Sequence, residues 1–512
     1  MINKRKKRTL KSKNISRVLL VSNILVALFY FSWWFLPGQA DNKILFGLLF
    51  FGEFYHVFMA LSFWRTIWPK ERNEEFPNLG YFNPTIDIFI TVAGEPVEIV
   101  RKTALAARDM DYDNHRVYIL NDGYVAKKDN WQEIEDLAEE LGINCITRKI
   151  PGGAKAGNVN NAVRNTNGEL IALLDADMIP HKDFIKKLLP YFRDSKTGFV
   201  QSPQYYKNHN TSKITGAAWE QQEIFFGPIM QGKEKSNAAF ICGTNFLIRR
   251  KALVEAGGMT EDNIAEDFLT SLKVHQMGWK SYYTREVLSE GLAPEDMMSY
   301  YKQQLRWARG SLEVLFGQNP IFKKNLSWAQ KLEYLSSALY YFNGVIVLID
   351  IIMPLLFLFF GYRPVAASST SFAIFFLPFM FLSLLTLKSA TVGRISFRAM
   401  AFSQSSFVLQ LQAIKSVILK QKMKFEVTSK QALTGNYINL AFPHLFYMGL
   451  TVEGLVVAIL REGINASVIT NIAWAMVNSA MFIPFISTAY NAQYKKERAE
   501  GEIRNETAAA GI

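Results

Sequence analysis

The chain has 512 residues, of which 49% are hydrophobic and 14% aromatic, and its formal net charge is +12. This length accommodates a catalytic domain together with several membrane spans. Two cysteines, Cys145 and Cys242, are too few for a disulfide framework and lack the spacing of a zinc site, so we expect both to be reduced and cytosolic. The basic residues lie beside apolar segments, which argues against a nucleic-acid partner.

The first predicted element is a membrane helix behind a basic N-terminus. The first 17 residues carry eight Lys or Arg and no acid, and the uncharged run Val18–Leu36 follows them directly. Flanking positive charge of this kind keeps the N-terminus in the cytoplasm. A cleaved signal peptide is the alternative, but its apolar region is typically only about 7–15 residues long.

Several further segments are long and apolar enough to cross a bilayer, which takes about 20 residues of helix. The predicted spans are Val18–Leu36, Ile44–Trp64, Tyr334–Phe360, Ser371–Leu387, Ile438–Leu460 and Ala466–Tyr490. An even number of spans returns the C-terminus to the cytoplasm, and the basic stretch Lys388–Lys430 then lies on the inner side, as the positive-inside rule requires. The more polar segment Val392–Val417 predicts a helix at the cytoplasmic interface, with a seventh span as the alternative.

The predicted spans contain ionisable residues, which are costly in a bilayer and usually face an interior cavity. These residues are Glu53, His56, Asp350, His444 and Glu453. One interpretation is a polar channel through the membrane. The other is hydrogen bonding buried between helices, and the sequence leaves both open.

The middle of the chain, about Phe76–Gly310, alternates short apolar runs with helical patterns. The predicted strands are Ile86–Val92, Val117–Leu120, Ile143–Thr147, Leu170–Leu174 and Gly198–Gln201. The predicted helices are Val97–Asp109, Trp131–Leu141, Asp183–Tyr191 and Ile264–Met277. This alternation predicts a mainly parallel, doubly wound sheet, which binds ligands at the carboxyl ends of its strands.

Acidic residues follow two of these strands. Asp122 follows the strand Val117–Leu120, and Asp175 and Asp177 follow the strand Leu170–Leu174. Two carboxylates separated by one residue can share Mg²⁺ or Mn²⁺ with a diphosphate. An isolated Asp-x-Asp is as easily a solvated turn, but the second acidic strand end favours the metal site.

Other polar motifs lie between and after these strands. Lys155 follows the loop Pro151–Gly153, where glycines allow a close backbone approach and a lysine can meet phosphate. Glu266 and Asp267 open a helix, either to complement its dipole or to supply a general base for an acceptor hydroxyl. In Gln303–Trp307, the arginine can bind phosphate and the tryptophan can stack on a sugar.

The order of these motifs resembles the processive family-2 glycosyltransferases, which include the cellulose, chitin and hyaluronan synthases. The resemblance covers about Ile86 to Lys430. Within that family, Phe240–Thr244 is similar to a Phe-Phe-Cys-Gly-Ser motif at the acceptor end, and Phe425–Lys430 to the Phe-x-Val-Thr-x-Lys gating loop of cellulose synthases.

The resemblance implies a role for each motif residue. The implied catalytic residues are Asp267, as the base, and its neighbour Glu266. The implied donor-binding residues are Thr91, Ala93, Glu95, Asp122, Lys155, Asp175, Gln303, Arg306, Thr428 and Lys430. The implied acceptor-binding residues are Cys242, Gly243 and Trp307, and Asp175 and Asp177 would hold Mg²⁺ or Mn²⁺.

The implied fold is an α/β glycosyltransferase A-type, Rossmann-like cytosolic domain inserted between transmembrane helices. The expected segments are a basic N-terminus at 1–17, spans at 18–64, the catalytic domain at 65–332, spans at 333–387, an interface helix and gating loop at 388–437, spans at 438–490 and a cytosolic tail at 491–512. We expect a multi-pass protein of the inner, or plasma, membrane.

The implied activity is inverting transfer of glucose from UDP-glucose to a growing β-glucan, cellulose or a related 1,3- or mixed-linkage polymer, coupled to secretion. The alternatives are a polymer synthase using UDP-N-acetylglucosamine and a catalytically degenerate export subunit. The expected partners are the UDP-sugar, the nascent polysaccharide, the bilayer and accessory secretion subunits.

Three departures from the family pattern stand out. Ala265 precedes the acidic pair where threonine is usual, and Gln201–Gln204 departs from the common Thr-Pro sequence near the acceptor. The short tail after the last predicted span leaves no room for a cyclic-di-GMP-binding domain, so we expect different regulation or separate regulatory partners.

Overall fold

The computed structural model describes residues 15–69, 82–391, 397–421 and 436–490. Its strands are β1 Ile86–Val92, β2 His115–Asn121, β3 Asn144–Thr147, β4 Leu170–Asp175, β5 Ile179–Pro180, β6 Thr197–Gln201, β7 Tyr205–Tyr206, β8 Phe246–Arg249, β9 Lys280–Tyr283 and β10 Ser289–Gly291. Its helices in the α/β region are α3 Val97–Arg108, α4 Trp131–Leu141, α5 Ala154–Asn165, α6 Phe184–Leu188, α7 Lys213–Ile224, α8 Met230–Lys235, α9 Arg250–Glu255, α10 Glu266–Gln276 and α11 Met297–Gly317.

The remaining helices come before and after that region. They are α1 Arg17–Trp33, α2 Lys43–Thr66, α12 Trp328–Leu339, α13 Asn343–Phe360, α14 Ser369–Ala390, α15 Phe397–Ser405, α16 Phe407–Ile418, α17 Ile438–Glu462 and α18 Ala466–Ala489. Short 3₁₀ turns follow α6 and α12 and precede α12, and a π-helical turn joins α7 to α8.

A seven-stranded sheet in the order β3-β2-β1-β4-β8-β6-β9 forms the centre of the α/β region. All seven residues of β1 are buried, because helices cover both faces of a central parallel strand. Neighbouring strands are parallel except β8, which runs antiparallel to both β4 and β6. A second sheet, β5-β10-β7, lies beside the carboxyl end of β4.

The prediction of a mainly parallel, doubly wound sheet is confirmed, and each of the predicted strands is present. The pattern analysis missed β8 and β9, which have only four residues each. Such short, almost fully buried runs show no alternation of apolar and polar residues, so periodicity does not distinguish them from a helical segment.

Within the described residues, five helices are long and apolar enough to cross a membrane: α2, the continuous unit Trp328–Phe360, α14, α17 and α18. The prediction of a span over Val18–Leu36 was too long. The helix α1 ends at Trp33 and has 17 residues, because the chain turns before Pro37 and Gly38. It packs along α14, where Asn23 Nδ2 donates to Thr386 Oγ1 at 2.7 Å.

The segment predicted as one interface helix is two helices, α15 and α16, which meet at Ser406. α15 packs against α18 and α7, and α16 packs against α11 and α13. These helices therefore connect the α/β region to the long apolar helices. At the other end of those helices, Arg363 Nη2 lies 3.3 Å from Glu462 Oε2, so the loop after α13 meets the end of α17.

Candidate functional site

The sheet register brings the predicted polar residues to one edge. Thr91 in β1 lies opposite Asp175 in β4, and Val92 lies opposite Asn121 in β2. Asp122 follows immediately and its backbone N–H donates to the Val92 carbonyl at 2.8 Å. The carboxylates predicted from separate motifs therefore share the carboxyl edge of the parallel strands, where such sheets bind ligands.

Asp122 is held by an arginine that the sequence analysis did not single out. Arg148 donates from Nε to Asp122 Oδ1 at 2.8 Å and from Nη2 to Oδ2 at 2.6 Å, and both side chains are buried. The guanidinium also bonds to the carbonyls of Gly152 and Ala154. This bidentate ion pair orients the Asp122 carboxylate and connects it to the loop that leads into α5.

Lys155 connects the end of β4 to the loop that contains Gly243. Its Nζ donates to Asp175 Oδ1 and, at 2.8 Å, to the carbonyl of Gly243. Burial opposes the charged form, but the carboxylates of Asp175 and Glu266 outweigh burial and hold the pKa of Lys155 above its usual value. A partly buried cation thus lies among the acidic groups, where the predicted diphosphate would bind.

Asp175 and Asp177 have the composition of a magnesium or manganese site that is completed by phosphate. Both line the same cavity, and Asp177 Oδ2 accepts the backbone N–H of Leu292 at 3.2 Å, which orients it. In the described ranges no group of three or more His, Cys, Asp or Glu is arranged around a common metal position. One or two carboxylates plus substrate phosphates are the usual ligands of Mg²⁺, so this pair fits the predicted metal.

The acidic pair Glu266 and Asp267 forms the first turn of α10. Asp267 Oδ1 accepts the N–H of Phe268 at 2.7 Å. A Cβ at Gly243 would lie 3.3 Å from Asp267 Oδ2, so the glycine leaves room for the carboxylate. Burial and then the charge of Glu266 raise the pKa of Asp267 to about 7, and burial also raises the pKa of Glu266. A carboxyl group whose pKa lies near neutral pH is well suited to act as a general base.

The helix α11 supplies the next group of predicted residues. Gln303, Arg306 and Trp307 have the i, i+3, i+4 spacing of one helical face, and all three line the cavity. A Cβ at Gly310 would lie 2.6 Å from Ala265 Cβ, so only glycine lets α11 pack this closely against the start of α10. That contact sets the position of Arg306 relative to Asp267.

The acceptor-end loop is held by two glutamines. Cys242 N–H donates to Gln201 Oε1 at 2.9 Å, and Gln204 Nε2 donates to the Cys242 carbonyl at 2.5 Å. The segment Gln201–Gln204, noted only as a departure from the family pattern, thus shapes the loop that contains Cys242 and Gly243. Burial and the nearby Asp267 raise the pKa of the Cys242 thiol well above its usual value, so the thiol is protonated at neutral pH.

The predicted site residues that the structure describes line one continuous cavity of about 1740 Å³, which extends from the sheet edge into the space between the long apolar helices. The predicted residues on its wall are Thr91, Ala93, Glu95, Asp122, Lys155, Asp175, Asp177, Cys242, Gly243, Glu266, Asp267, Gln303, Arg306 and Trp307. Thr428 and Lys430 lie outside the described residues. The cavity brings the rest together, and their individual roles stay predictions.

The cavity separates the ionisable residues of the spans into two groups. Glu53, His56 and Asp350 line it. His444 does not, and is buried with its ring nitrogen Nε2 2.8 Å from the Ser405 carbonyl. Glu453 does not line it either, and is exposed on the face of α17. The interpretation as a polar channel therefore suits Glu53, His56 and Asp350. His444 instead fits the second interpretation, hydrogen bonding buried between helices.

Sequence reasoning missed Arg148, Gln201 and Gln204 for one reason. Each acts through a partner that is distant in sequence, and none belongs to a motif with a chemical role of its own. The glycines around Arg148 marked the loop but did not reveal the ion pair. Only the sheet register brings Arg148 beside Asp122.

Comparisons with known proteins agree with this geometry. The family model described as "Glycosyltransferase like family 2" matches residues 84–310, and the one described as "Cellulose synthase" matches residues 254–481. The cellulose synthase 1 catalytic subunit (UDP-forming) of Komagataeibacter xylinus is 30% identical over 96% of this chain and 69% of its own length. The cellulose synthase catalytic subunit (UDP-forming) of Pseudomonas fluorescens is 30% identical over 95% of this chain and 68% of its own length.

Among solved structures, the mannosyltransferase PcManGT of Pyrobaculum calidifontis, in complex with GDP-Man and Mn²⁺, aligns with 74% of this chain and 100% of its own. The TM-score is 0.52 and the sequence identity 14%. At that identity the similarity concerns the fold, which is that of a glycosyltransferase. The catalytic region of this chain therefore has the glycosyltransferase A-type architecture that the motif order predicts.

Proposed function

The chain belongs to the cellulose synthase family of family-2 glycosyltransferases, and on that premise we propose that it transfers glucose from UDP-glucose to a growing β-glucan and passes the polymer across a membrane. The observation that carries this proposal is the continuous cavity. It joins Asp175 and Asp267 at the sheet edge to Glu53 and Asp350 between the apolar helices. A polymer that grows at the sheet edge would have a path through this cavity between the apolar helices.

The donor site would be built on the carboxyl edge of the sheet. Asp122, fixed by Arg148, would bind the uridine together with Thr91, Ala93 and Glu95. Ala93 N–H donates to Glu95 Oε2 at 2.6 Å, so this loop is shaped before a ligand binds. Lys155 and Arg306 would meet the diphosphate, and their charge would stabilise the leaving UDP.

Asp267 would act as the general base. It takes the proton from the acceptor hydroxyl while that oxygen attacks the anomeric carbon, and the bond to UDP breaks in the same displacement. A single displacement inverts the anomeric centre, so an α-linked donor gives a β-linked product. Burial and, after it, the charge of Glu266 would keep the pKa of Asp267 raised to about 7 for this step. Gln303 would bind the donor, and Trp307 would stack on the terminal sugar beside Cys242 and Gly243.

Asp175 and Asp177 would hold Mg²⁺ or Mn²⁺. Bound there, the ion would neutralise charge on the diphosphate as UDP departs. Support comes from the two carboxylates that share one strand end and from their fit to a cation completed by phosphate. Mn²⁺ accompanies the nucleotide sugar in the mannosyltransferase of the same fold.

The protein is a membrane protein, and we place its catalytic domain on the cytosolic side of the inner, or plasma, membrane. The support is the basic N-terminal stretch before α1 and the basic stretch 388–430, both of which belong on the inner side. Accessory secretion subunits stay a prediction.

The test is a polymerisation assay on the purified, detergent-solubilised chain. It would be incubated with Mg²⁺ or Mn²⁺ and either UDP-glucose or UDP-N-acetylglucosamine, with UDP release measured and any polymer digested by linkage-specific hydrolases. We expect UDP release and a β-glucan from UDP-glucose, both lost in Asp267→Asn. Polymer from UDP-N-acetylglucosamine alone would replace the proposal with the amino-sugar alternative, and digestion names the linkage.

A further inference from the structure

The small second sheet holds an aromatic residue, Tyr206, next to the predicted metal site. In the strand β7, Tyr206 lies opposite Gly291 of β10. The Lys207 N–H, which follows in the chain, donates to the Gly291 carbonyl at 3.0 Å. Directly after β10, the Leu292 N–H donates to Asp177 Oδ2 at 3.2 Å. One strand, β10, therefore fixes both Tyr206 and the Asp177 carboxylate.

The segment that follows β7 is fixed to the same part of the chain. Asn208 Nδ2 donates to the Ala293 carbonyl at 3.1 Å, and the Ala293 N–H donates to Asn208 Oδ1 at 2.8 Å. Asn208 is buried, so its amide bonds to the backbone both as donor and as acceptor away from solvent. The backbone that carries Tyr206 is thus held in place on both sides of its strand pairing.

The side chain of Tyr206 reaches the helix α11. It is 2% exposed, and it lines the cavity together with Gln303. The Tyr206 hydroxyl hydrogen-bonds with the Gln303 side chain. The charges of Asp177, Asp175 and Arg306 act on the same hydroxyl, which therefore lies among the groups that the proposed mechanism assigns to the metal and the diphosphate. No motif of the sequence analysis includes Tyr206.

The bond to Tyr206 restricts a flexible side chain at the donor site. A glutamine side chain has several rotatable bonds, and fixing it before the substrate arrives reduces the entropy that binding costs. We infer that Tyr206 is a positioning residue for the transfer reaction, which holds Gln303 in the orientation that binds the donor diphosphate beside Asp175 and Asp177. This inference rests on the proposed function.

The test is a double-mutant cycle on the binding of UDP. Tyr206→Phe removes only the hydroxyl, Gln303→Leu removes the amide, and the double variant removes both. The control is Tyr205→Phe, because Tyr205 faces the other side of β7, where its ring lies 4.6 Å from the Trp219 ring between centroids. Each full-length protein in detergent would be titrated by calorimetry with UDP and, separately, with uridine at saturating Mn²⁺. This measurement needs no turnover, and thermal unfolding checks that each variant folds.

We expect Tyr206→Phe to weaken UDP binding about fivefold, as the loss of one hydrogen bond typically does. Uridine lacks the diphosphate, so its affinity should stay at the wild-type value. In the Gln303→Leu background, Tyr206→Phe should weaken UDP binding by less than about twofold, because residues that act through one another are not additive. Tyr205→Phe should bind both ligands as the wild type does.

Three results would overturn the positioning role of Tyr206. They are wild-type UDP affinity in Tyr206→Phe, an equal loss of UDP affinity in the Gln303→Leu background, and an equal loss of uridine affinity. Each of them leaves the proposed function intact, because UDP release from UDP-glucose by the wild-type protein tests that function separately. A wild-type protein that does not bind UDP would overturn both.

Discussion

The raised pKa of Asp267 predicts how the activity depends on pH. A general base works only when ionised, so activity falls as pH drops through its pKa. With a pKa of about 7, the ionised fraction is about one tenth at pH 6 and about nine tenths at pH 8, so kcat/KM for UDP-glucose should rise roughly tenfold between them. Glu266→Gln removes the neighbouring negative charge, lowers the pKa of Asp267 and should move the midpoint to lower pH.

The assay is continuous UDP release from the purified protein between pH 5.5 and 8.5 at saturating metal. Glu286→Gln is the matched control, because Glu286 pairs with Lys187 at 2.9 Å outside the cavity and its loss should leave the midpoint in place. Asp267→Asn should lose about 10²–10⁴-fold at every pH, since no base remains.

Three results would refute this reasoning. A flat wild-type profile would show that ionisation of Asp267 does not limit the reaction. A midpoint that rises in Glu266→Gln would contradict the sign of the charge interaction. If Asp267→Asn retained more than about a tenth of wild-type activity, Asp267 would not be the general base.

Three further predictions concern the metal pair, the donor-site ion pair and a helix contact. Asp177→Asn should raise the Mn²⁺ concentration for half-maximal UDP release at least roughly tenfold, since even outer-shell partners of a metal are worth about 10–100-fold. Arg148→Met leaves the buried Asp122 carboxylate without its cation, so it should lower the free energy of unfolding by about 3–5 kcal/mol. Denaturant titration in detergent measures this change, and an unchanged free energy of unfolding would contradict the ion-pair argument. Gly232→Ala should lower the thermal unfolding midpoint, because its Cβ would lie 2.1 Å from the Thr66 carbonyl oxygen, whereas Gly47→Ala in the open should have no harmful effect.

The sequence by itself determined the alternation of strands and helices, the acidic residues at the strand ends and most of the long apolar helices. These features are local: a strand end, a motif or an apolar run is visible within a short stretch of chain, and its physical meaning does not depend on distant residues. For the same reason the sequence alone identifies Asp175 and Asp177 as metal-binding candidates and Asp267 as the candidate base.

The tertiary structure decided what depends on contacts between distant segments. The register of β2 and β3, in which Asn121 lies opposite Thr147, places Asp122 beside Arg148. Two glutamines at and just after the end of β6 shape the loop at Cys242. Glu53, His56 and Asp350 face the cavity while Glu453 faces outward, because the side of a helix that is enclosed depends on its neighbours. Apolar residues surround a membrane helix on every face, so its sequence alone leaves that orientation undetermined.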